Sequence, residues 1–419
     1  MTEVAVVGGG LAGLVAARTL ADRGVDVTLL EREASVGGRV QTREVEGFTL
    51  DRGFQVMFTS YPAVKRELDF GALNLRSFTP GATLARPGER STLSDPLADP
   101  GSFPATVFNR EVTTRDKLRV LSLRRELAKQ SPDALLREDD ATITEFLRER
   151  GFSQRFVENF AAPFYGGITL DRSLTTSAAV FAYTFRMLAS GRTVVPAEGM
   201  AAIPRQLAGK ATAAGATVET DTEVTAVESD GGGVTVETGT ETLTADAAIV
   251  ATDPPTAKEL TGVESIPTTA RSCVTQHFRL PSTQDLRTGK RLVLNAADDR
   301  PNQVAPMSAA APEYAPQGAQ LLSATFLGQQ DASDDELAAE VRDTLASWYP
   351  ENQFGNLELL ATDRIEFAQF DQPRGFRETL PAVDDPAGDV YLAGDYTEWS
   401  SIQGAMESGR NAALAAVEK

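Results

Sequence analysis

The stretch EVAVVGGGLAG, residues 3–13, leaves a chain few folds to choose from. Its first five residues, Val-rich and ended by glycine, read as a buried strand. Three glycines follow at the spacing G-x-G-x-x-G: Gly8, Gly10 and Gly13. Gly8 permits the tight turn, Gly10 lets backbone N–H groups approach a pyrophosphate, and Gly13 lets a helix pack on the strand. Leu11 and Ala12, between the last two glycines, open that helix beside the same ligand. The helical segment LAGLVAARTLADRG stops at Gly24, and DVTLLE forms a second strand ending at Glu31. Strand, helix and parallel strand in this order commit the chain to an α/β fold with a Rossmann-like sheet. A carboxylate at Glu31 can accept hydrogen bonds from both ribose hydroxyls of an adenosine, and it repels a 2′-phosphate. The unit therefore reads as a dinucleotide site, with Arg32 beside the acid.

The next segment, EREASVGGRVQT, places Gly37, Gly38 and Arg39 shortly after Glu31. Two glycines expose N–H donors, and a guanidinium neutralises phosphate. In this order of motifs the chain resembles the flavin amine oxidase superfamily, which includes phytoene desaturases, carotene isomerases and protoporphyrinogen oxidases. The resemblance implies FAD, held non-covalently, with G-G-R at its pyrophosphate. It also implies an interleaved architecture. An FAD-binding domain would use residues 1–61, 193–262 and 361–419, and an α+β substrate domain residues 62–192 and 263–360. DRGFQVM (51–57) would pass beside the isoalloxazine, making Gly53, Phe54 and Gln55 flavin neighbours. VVPAEGMAAIPRQLA (194–208) would return the chain to the FAD domain. Val224 would meet adenine through its backbone, and Ala251 and Thr252 would lie close to the cofactor. PFYGGITLDRSLTTS (163–177) resembles a segment that shapes the substrate cavity in the desaturase and protoporphyrinogen oxidase branches, so Phe164 and Tyr165 would be apolar walls. Ordinary core packing is the alternative for both.

Between these motifs the patterns are plainer. From Pro62 to about Arg192 the chain reads as mostly helical and loop-rich. GATVETDTEVTAVE alternates as strands do, and SDGGGV reads as a hairpin turn because no helix follows it. Pro267 to about Leu360 reads as a second sheet with one acidic helix, DASDDELAAEVRDTLASWY.

Composition limits the chemistry. Net charge is −19, and only seven of the 40 basic residues are lysine. An acidic, lysine-poor surface suits high salt, where screening removes self-repulsion; an ordinary acidic cytoplasmic enzyme is the plainer reading. The balance argues against nucleic-acid binding, which needs a basic footprint. Cys273 and His277 are the only residues of their types. They cannot form a Cys/His metal cluster or an intrachain disulfide, and a reducing compartment such as the cytoplasm fits. A Ser-His-Asp hydrolase would need His277 itself, inside the expected strand SCVTQHFRL, where a structural role is the simpler reading. The chemistry is therefore expected in a cofactor, with no side-chain general base. No segment is apolar for long enough to span a bilayer. One stretch departs from the acidic trend. TTRDKLRVLSLRRELAK (113–129) holds six basic residues against Asp116 and Glu126, with leucines at helical spacing. It reads either as an interfacial helix on an anionic membrane or as a solvated helix with one face inward.

Near the C-terminus, VYLAGDYTEWSSIQGAMESGRNAA runs from an apolar strand through Gly394 and Asp395 into a helix of small residues. Ser400 and Gln403 have capping-box spacing, which would start the helix there. Ile402, Ala405, Met406, Gly409, Ala412 and Ala413 form a narrow, close-packing face. The resemblance puts Asp395 at the ribityl–pyrophosphate region. It puts the flavin N1–C2=O edge at the helix start, among Ser401, Ile402, Gln403 and Ala405. A helix N-terminus favours negative charge there by up to ~2 kcal/mol.

Amine oxidases of the superfamily usually carry a lysine near N5, where ARSCVTQHF offers Ser272 or Cys273. Many also set an aromatic residue where this chain has Ser401 and Ile402. Both differences favour the carotenoid and porphyrinogen branch. The leading expectation is an FAD-dependent desaturase or dehydrogenase that moves hydride from an apolar polyene or isoprenoid to flavin N5. Porphyrinogen oxidation, an amine oxidase-like activity, a redox-neutral isomerase using reduced flavin, and a non-catalytic flavin binder are the alternatives. No motif specifies an oligomeric state.

Overall fold

The computed structural model describes residues 2–94, 109, 111–137, 141–229, 231–284 and 286–418. Its first unit is β1 (Glu3–Val7), α1 (Leu11–Ala21) and β2 (Asp26–Leu30). A five-stranded parallel sheet is built on them in the order Thr217–Glu219, β2, β1, Ala247–Val250, Val390–Leu392. Both faces are covered, which is why β1 and β2 read as near-continuous apolar runs. Gly8 has φ +106°, and a Cβ on it would sit 2.8 Å from the Ala251 carbonyl oxygen. A Cβ on Gly13 would sit 2.0 Å from the Gly8 oxygen, so α1 packs against the turn itself.

The middle of the chain is less helical than its spacing suggests. Leu75–Ser77, Ala82–Arg86 and Glu89–Leu93 are strands. The second of these pairs in parallel with Leu292–Asn295, about two hundred residues on, and such a partner leaves no trace in local spacing. Helices follow, among them α2 (Thr114–Leu127), closed at its N-terminus by a Thr113/Asp116 capping box. Leu123, Leu127, Ile143, Leu147 and Phe181 give this helical layer its own core.

A seven-stranded sheet runs beside it, with β3 (Ala270–Pro281) and β4 (Glu358–Phe370) as its long antiparallel pair. β4 crosses the boundary expected at 360/361, because its pairing with β3 continues to Phe370. The acidic helix is Asp334–Trp348; its Leu337, Val341, Leu345 and Trp348 pack on this sheet against Val274, Phe278 and Phe326. Val224–Ser229 and Val234–Thr238 form the expected hairpin; residue 230, in its turn, lies outside the described residues.

The chain ends on α3 (Ile402–Val417), which packs on α1. A Cβ on Gly409 would sit 2.1 Å from the Ala12 carbonyl oxygen, so the small residues do bring two helix backbones together. The cap differs from expectation. Ser401, not Ser400, accepts from Gly404 N, and Gln403 closes no capping box. Its Oε1 instead accepts from Ala63 N at 2.8 Å, while Ser400 Oγ turns to Asp395. Among the described residues no helix is long and apolar enough to cross a membrane.

Candidate functional site

One cavity of about 1910 Å³ connects the glycine turn of the first unit to the helical layer. Ligand pockets are commonly ~300–1,000 Å³, so this one has room for a large cofactor and a second molecule. Its first arm lies outside the carboxyl ends of the parallel strands, where open α/β sheets bind ligands. Gly8, Gly10, Leu11, Ala12, Glu31, Arg32, Gly37, Gly38, Arg39, Val224, Ala251 and Thr252 all line it. Nothing lies within 4 Å of where a Gly10 Cβ would be, so the turn leaves open space at the start of α1. α1 has no side-chain cap and no acid in its first turn. Its first N–H groups are therefore available to an anion.

Backbone donors fix the Glu31 carboxylate. Oε2 accepts from Gly9 N at 2.7 Å and Oε1 from Glu33 N at 2.9 Å. Each oxygen keeps a lone pair for a ligand hydroxyl. Across the arm, Arg39 Nη2 donates to Asp395 Oδ1 at 2.6 Å and Nη1 to the Ala368 oxygen at 3.2 Å. Ser400 Oγ takes the other Asp395 oxygen at 2.8 Å. Burial disfavours the Arg39 charge, yet Asp395 outweighs it and the guanidinium pKa is raised. Asp395 is thus first an anchor for Arg39, and it joins the G-G-R segment to the entry of α3.

Gly53, Phe54 and Gln55 line the cavity near its middle, as do Gly394, Ser401, Ile402 and Ala405. Gln55 Nε2 donates to the Arg39 oxygen at 2.9 Å, while its Oε1 is buried with no partner. Such an orphaned acceptor costs about 1–3 kcal/mol unless a ligand donates to it. Asp363 on β4 holds this segment from behind. It accepts from Gly53 N at 3.3 Å, Arg43 at 2.6 Å and His277 Nε2 at 3.1 Å, and Ser323 Oγ lies 2.9 Å from His277 Nδ1. Burial would raise the Asp363 pKa, but the His277 and Arg43 hydrogen bonds prevail and lower it. This Ser-His-Asp set is buried and contributes only structure: neither Ser323 nor His277 lines the cavity. Cys273 does line it, and burial, with Asp363 second, pushes its thiol up to about 12. The thiol is therefore protonated at neutral pH.

The second arm is apolar. Phe152, Phe156, Phe160 and Phe164 line it in sequence, with successive ring centroids 4.5, 5.5 and 5.2 Å apart. Residues four apart drift about 40° around an α-helix. A wider π-turn at Val157–Ala161 offsets that drift and keeps the rings on one wall. Phe164 and Tyr165 are both cavity wall and core: Tyr165 is buried against Phe181 at 4.5 Å. Two expected site residues do not reach the cavity. Gly13 is spent on packing, and Gln403 on the Ala63 amide.

Sequence reasoning missed Trp399, buried against Tyr183 at 5.0 Å and lining the cavity two residues before the cap. It also missed Ser400. Trp399 sits in no recognisable spacing, and the spacing of Ser400 suggested only a helix cap; both are placed by the bend after Asp395. The open glycine turn, the uncapped α1, the Glu31 carboxylate, the half-buried Arg39 guanidinium and the unpartnered Gln55 oxygen together fit a dinucleotide cofactor such as FAD. Among the described residues no cluster of three or more His, Cys, Asp or Glu is placed to hold a metal.

Comparison with known proteins agrees with this geometry. The family model described as Flavin containing amine oxidoreductase matches residues 11–417. Protoporphyrinogen oxidase 2, chloroplastic/mitochondrial, of Arabidopsis thaliana is 30% identical over 165 residues, which is 39% of this chain and 32% of that protein. Carotenoid 3,4-desaturase of Haloarcula japonica is 55% identical over 51 residues, 12% of this chain and 10% of that one. The matches thus span a third or less of these curated relatives. The crystal structure of a putative protoporphyrinogen oxidase from Exiguobacterium sp. 255-15 superposes with a TM-score of 0.73 at 19% identity, covering 99% of this chain and 98% of that one. At that identity the likeness concerns the fold.

Proposed function

The chain belongs to the flavin-containing amine oxidoreductase family, and from that premise we propose that it is an FAD-dependent desaturase or dehydrogenase of an apolar polyene or isoprenoid. The observation that carries the reading is the four-ring wall of Phe152, Phe156, Phe160 and Phe164 along the second arm. An elongated apolar molecule can bury its length against such a wall at roughly 25 cal/mol per Å². The 51-residue match to a carotenoid desaturase supports the same class.

When bound, FAD supplies the two-electron acceptor for hydride leaving a substrate C–H bond. The chain's own groups do the rest. Glu31 would orient the adenosine end, and α1 with Arg39 would balance the pyrophosphate. The segment Gly53–Gln55, tied to Asp363 through the Gly53 amide, and the start of α3 would hold the ring end, where an N-terminal helix dipole favours added negative charge. The phenylalanine wall excludes water and aligns the substrate. The raised Cys273 thiol offers no base at neutral pH. A porphyrinogen is the second reading, favoured by the 165-residue match to the Arabidopsis enzyme.

Phe160→Ser tests the wall. It should weaken polyene binding at least tenfold while the bound flavin keeps its visible spectrum. Unchanged polyene affinity would remove the wall from the substrate site and, with it, the main support for this reading.

A further inference from the structure

Helix α2 stands between the cavity and solvent. Lys117, Val120, Leu121 and Arg124 face the cavity, while Leu123 and Leu127 are buried in the helical layer. The outer face has a different character. Leu118 is 63% exposed, the one large hydrophobic side chain so exposed among the described residues, and it also lines the cavity. It therefore stands at the mouth. Its outward neighbours at helical spacing are Arg115, Ser122 and Arg125, with Lys129 one turn beyond Arg125, all exposed. Asp116 is buried and accepts from Thr113 and Ser153, and Glu126 pairs with Arg150. Among the described residues Arg115, Arg125 and Lys129 pair with no carboxylate.

In a chain of net charge −19, a cationic face around one exposed leucine reverses the surface locally. We propose that this face of α2 docks on an anionic lipid surface and sets the mouth of the apolar arm against the bilayer. The charge pattern selects this occupant. The face is complementary to phosphate headgroups, and Leu118 can enter the acyl boundary beside them. A single leucine is too little to hold the protein on neutral lipid, so docking depends on charge and weakens with salt. The purpose of docking, delivery of a lipid-dissolved substrate, rests on the polyene reading; the docking itself does not.

Flotation of the holoprotein with vesicles of phosphatidylglycerol and phosphatidylcholine, against phosphatidylcholine alone, tests it. Binding is expected only to the anionic vesicles and should fall as salt rises. Arg115→Ser with Arg125→Ser should lower vesicle affinity about 30-fold, near fivefold per charge. Neither arginine lines the cavity, so bound flavin and the unfolding midpoint should stay as in the parent and report that the variant is folded. Leu118→Ser should lower affinity several-fold. Absence of binding to anionic vesicles, undiminished binding by the arginine variant, or capture by polyglutamate but not by vesicles would each overturn the proposal. Flotation needs no substrate, so its failure leaves the polyene reading standing. Failure of a polyene to reduce the flavin would leave docking standing.

Discussion

Two glycines in helix interiors should respond to alanine with opposite signs. Gly209 lies exposed in the helix Ala202–Ala214, and nothing is within 4 Å of where its Cβ would be. Gly409 is buried in α3, with a Cβ position 2.1 Å from the Ala12 oxygen. Both substitutions gain the same helix propensity, up to ~1 kcal/mol. At Gly209 nothing opposes that gain, so Gly209→Ala should stabilise by about 0.5–1 kcal/mol. At Gly409 the new methyl is roughly 1 Å short of ordinary contact with a backbone atom that cannot rotate away. α3 must withdraw from α1, and overpacking of this kind costs about 1–3 kcal/mol. The contact term outweighs propensity, and Gly409→Ala should be destabilised by about 1–2 kcal/mol. Withdrawal also moves Ser401, Ile402 and Ala405 at the cavity, so flavin should be released more readily from this variant alone. Urea unfolding midpoints of the two holoproteins, with flavin fluorescence in the same cuvette, read both effects. A Gly409→Ala protein as stable as the parent, with flavin equally tight, would refute the claim that α3 is pressed on α1 to seat the cofactor.

Glu31→Ala should raise the flavin dissociation constant about 10–100-fold, since it removes charged hydrogen bonds worth ~1.5–3 kcal/mol; an unchanged constant on dilution would place the adenosine elsewhere. The acid limb of stability has a definite sign. Burial would raise the Asp116, Asp171 and Asp363 carboxyls, but hydroxyl, amide, His277 and Arg hydrogen bonds prevail and hold each below the ordinary 3.8. Their contribution is complete above that ordinary value and is lost as pH falls through the depressed ones, so unfolding midpoints should drop steeply below about pH 4. Asp171→Asn, which keeps one acceptor oxygen and turns the other into an amide donor facing either Ser173 or the Thr175 and Thr176 amides, should lower the neutral midpoint and flatten that limb. A limb of the parent's steepness would count against it.

The two ends of the candidate site were legible because each is local. Gly8, Gly10, Gly13 and Glu31 act within one βαβ unit, and Asp395 directly follows a strand and glycine. What joins the ends was not legible. The Arg39–Asp395 pair spans 356 residues, and no spacing rule encodes it. Gln403 shows how a local rule yields to a distant partner. Its spacing from Ser400 suits a capping box, but the Ala63 amide claims its oxygen, and Ser401 caps instead. The strands at 75–93 were read as helix and loop because their partners lie beyond residue 190 or within very short pairings. Of the second arm's phenylalanines, only Phe164 was legible as a cavity wall. Their alignment was not, since it depends on a π-turn that no residue type announces.

The central claim is that one cavity brings a flavin and an elongated apolar substrate together. Anaerobic mixing of the holoprotein with a liposomal polyene, with protoporphyrinogen and with a polyamine, in separate cuvettes, tests it most directly. The account expects the yellow flavin absorbance to bleach with the polyene alone. Bleaching by the porphyrinogen or the amine and not by the polyene would contradict it, as would a purified protein that carries no flavin and binds none.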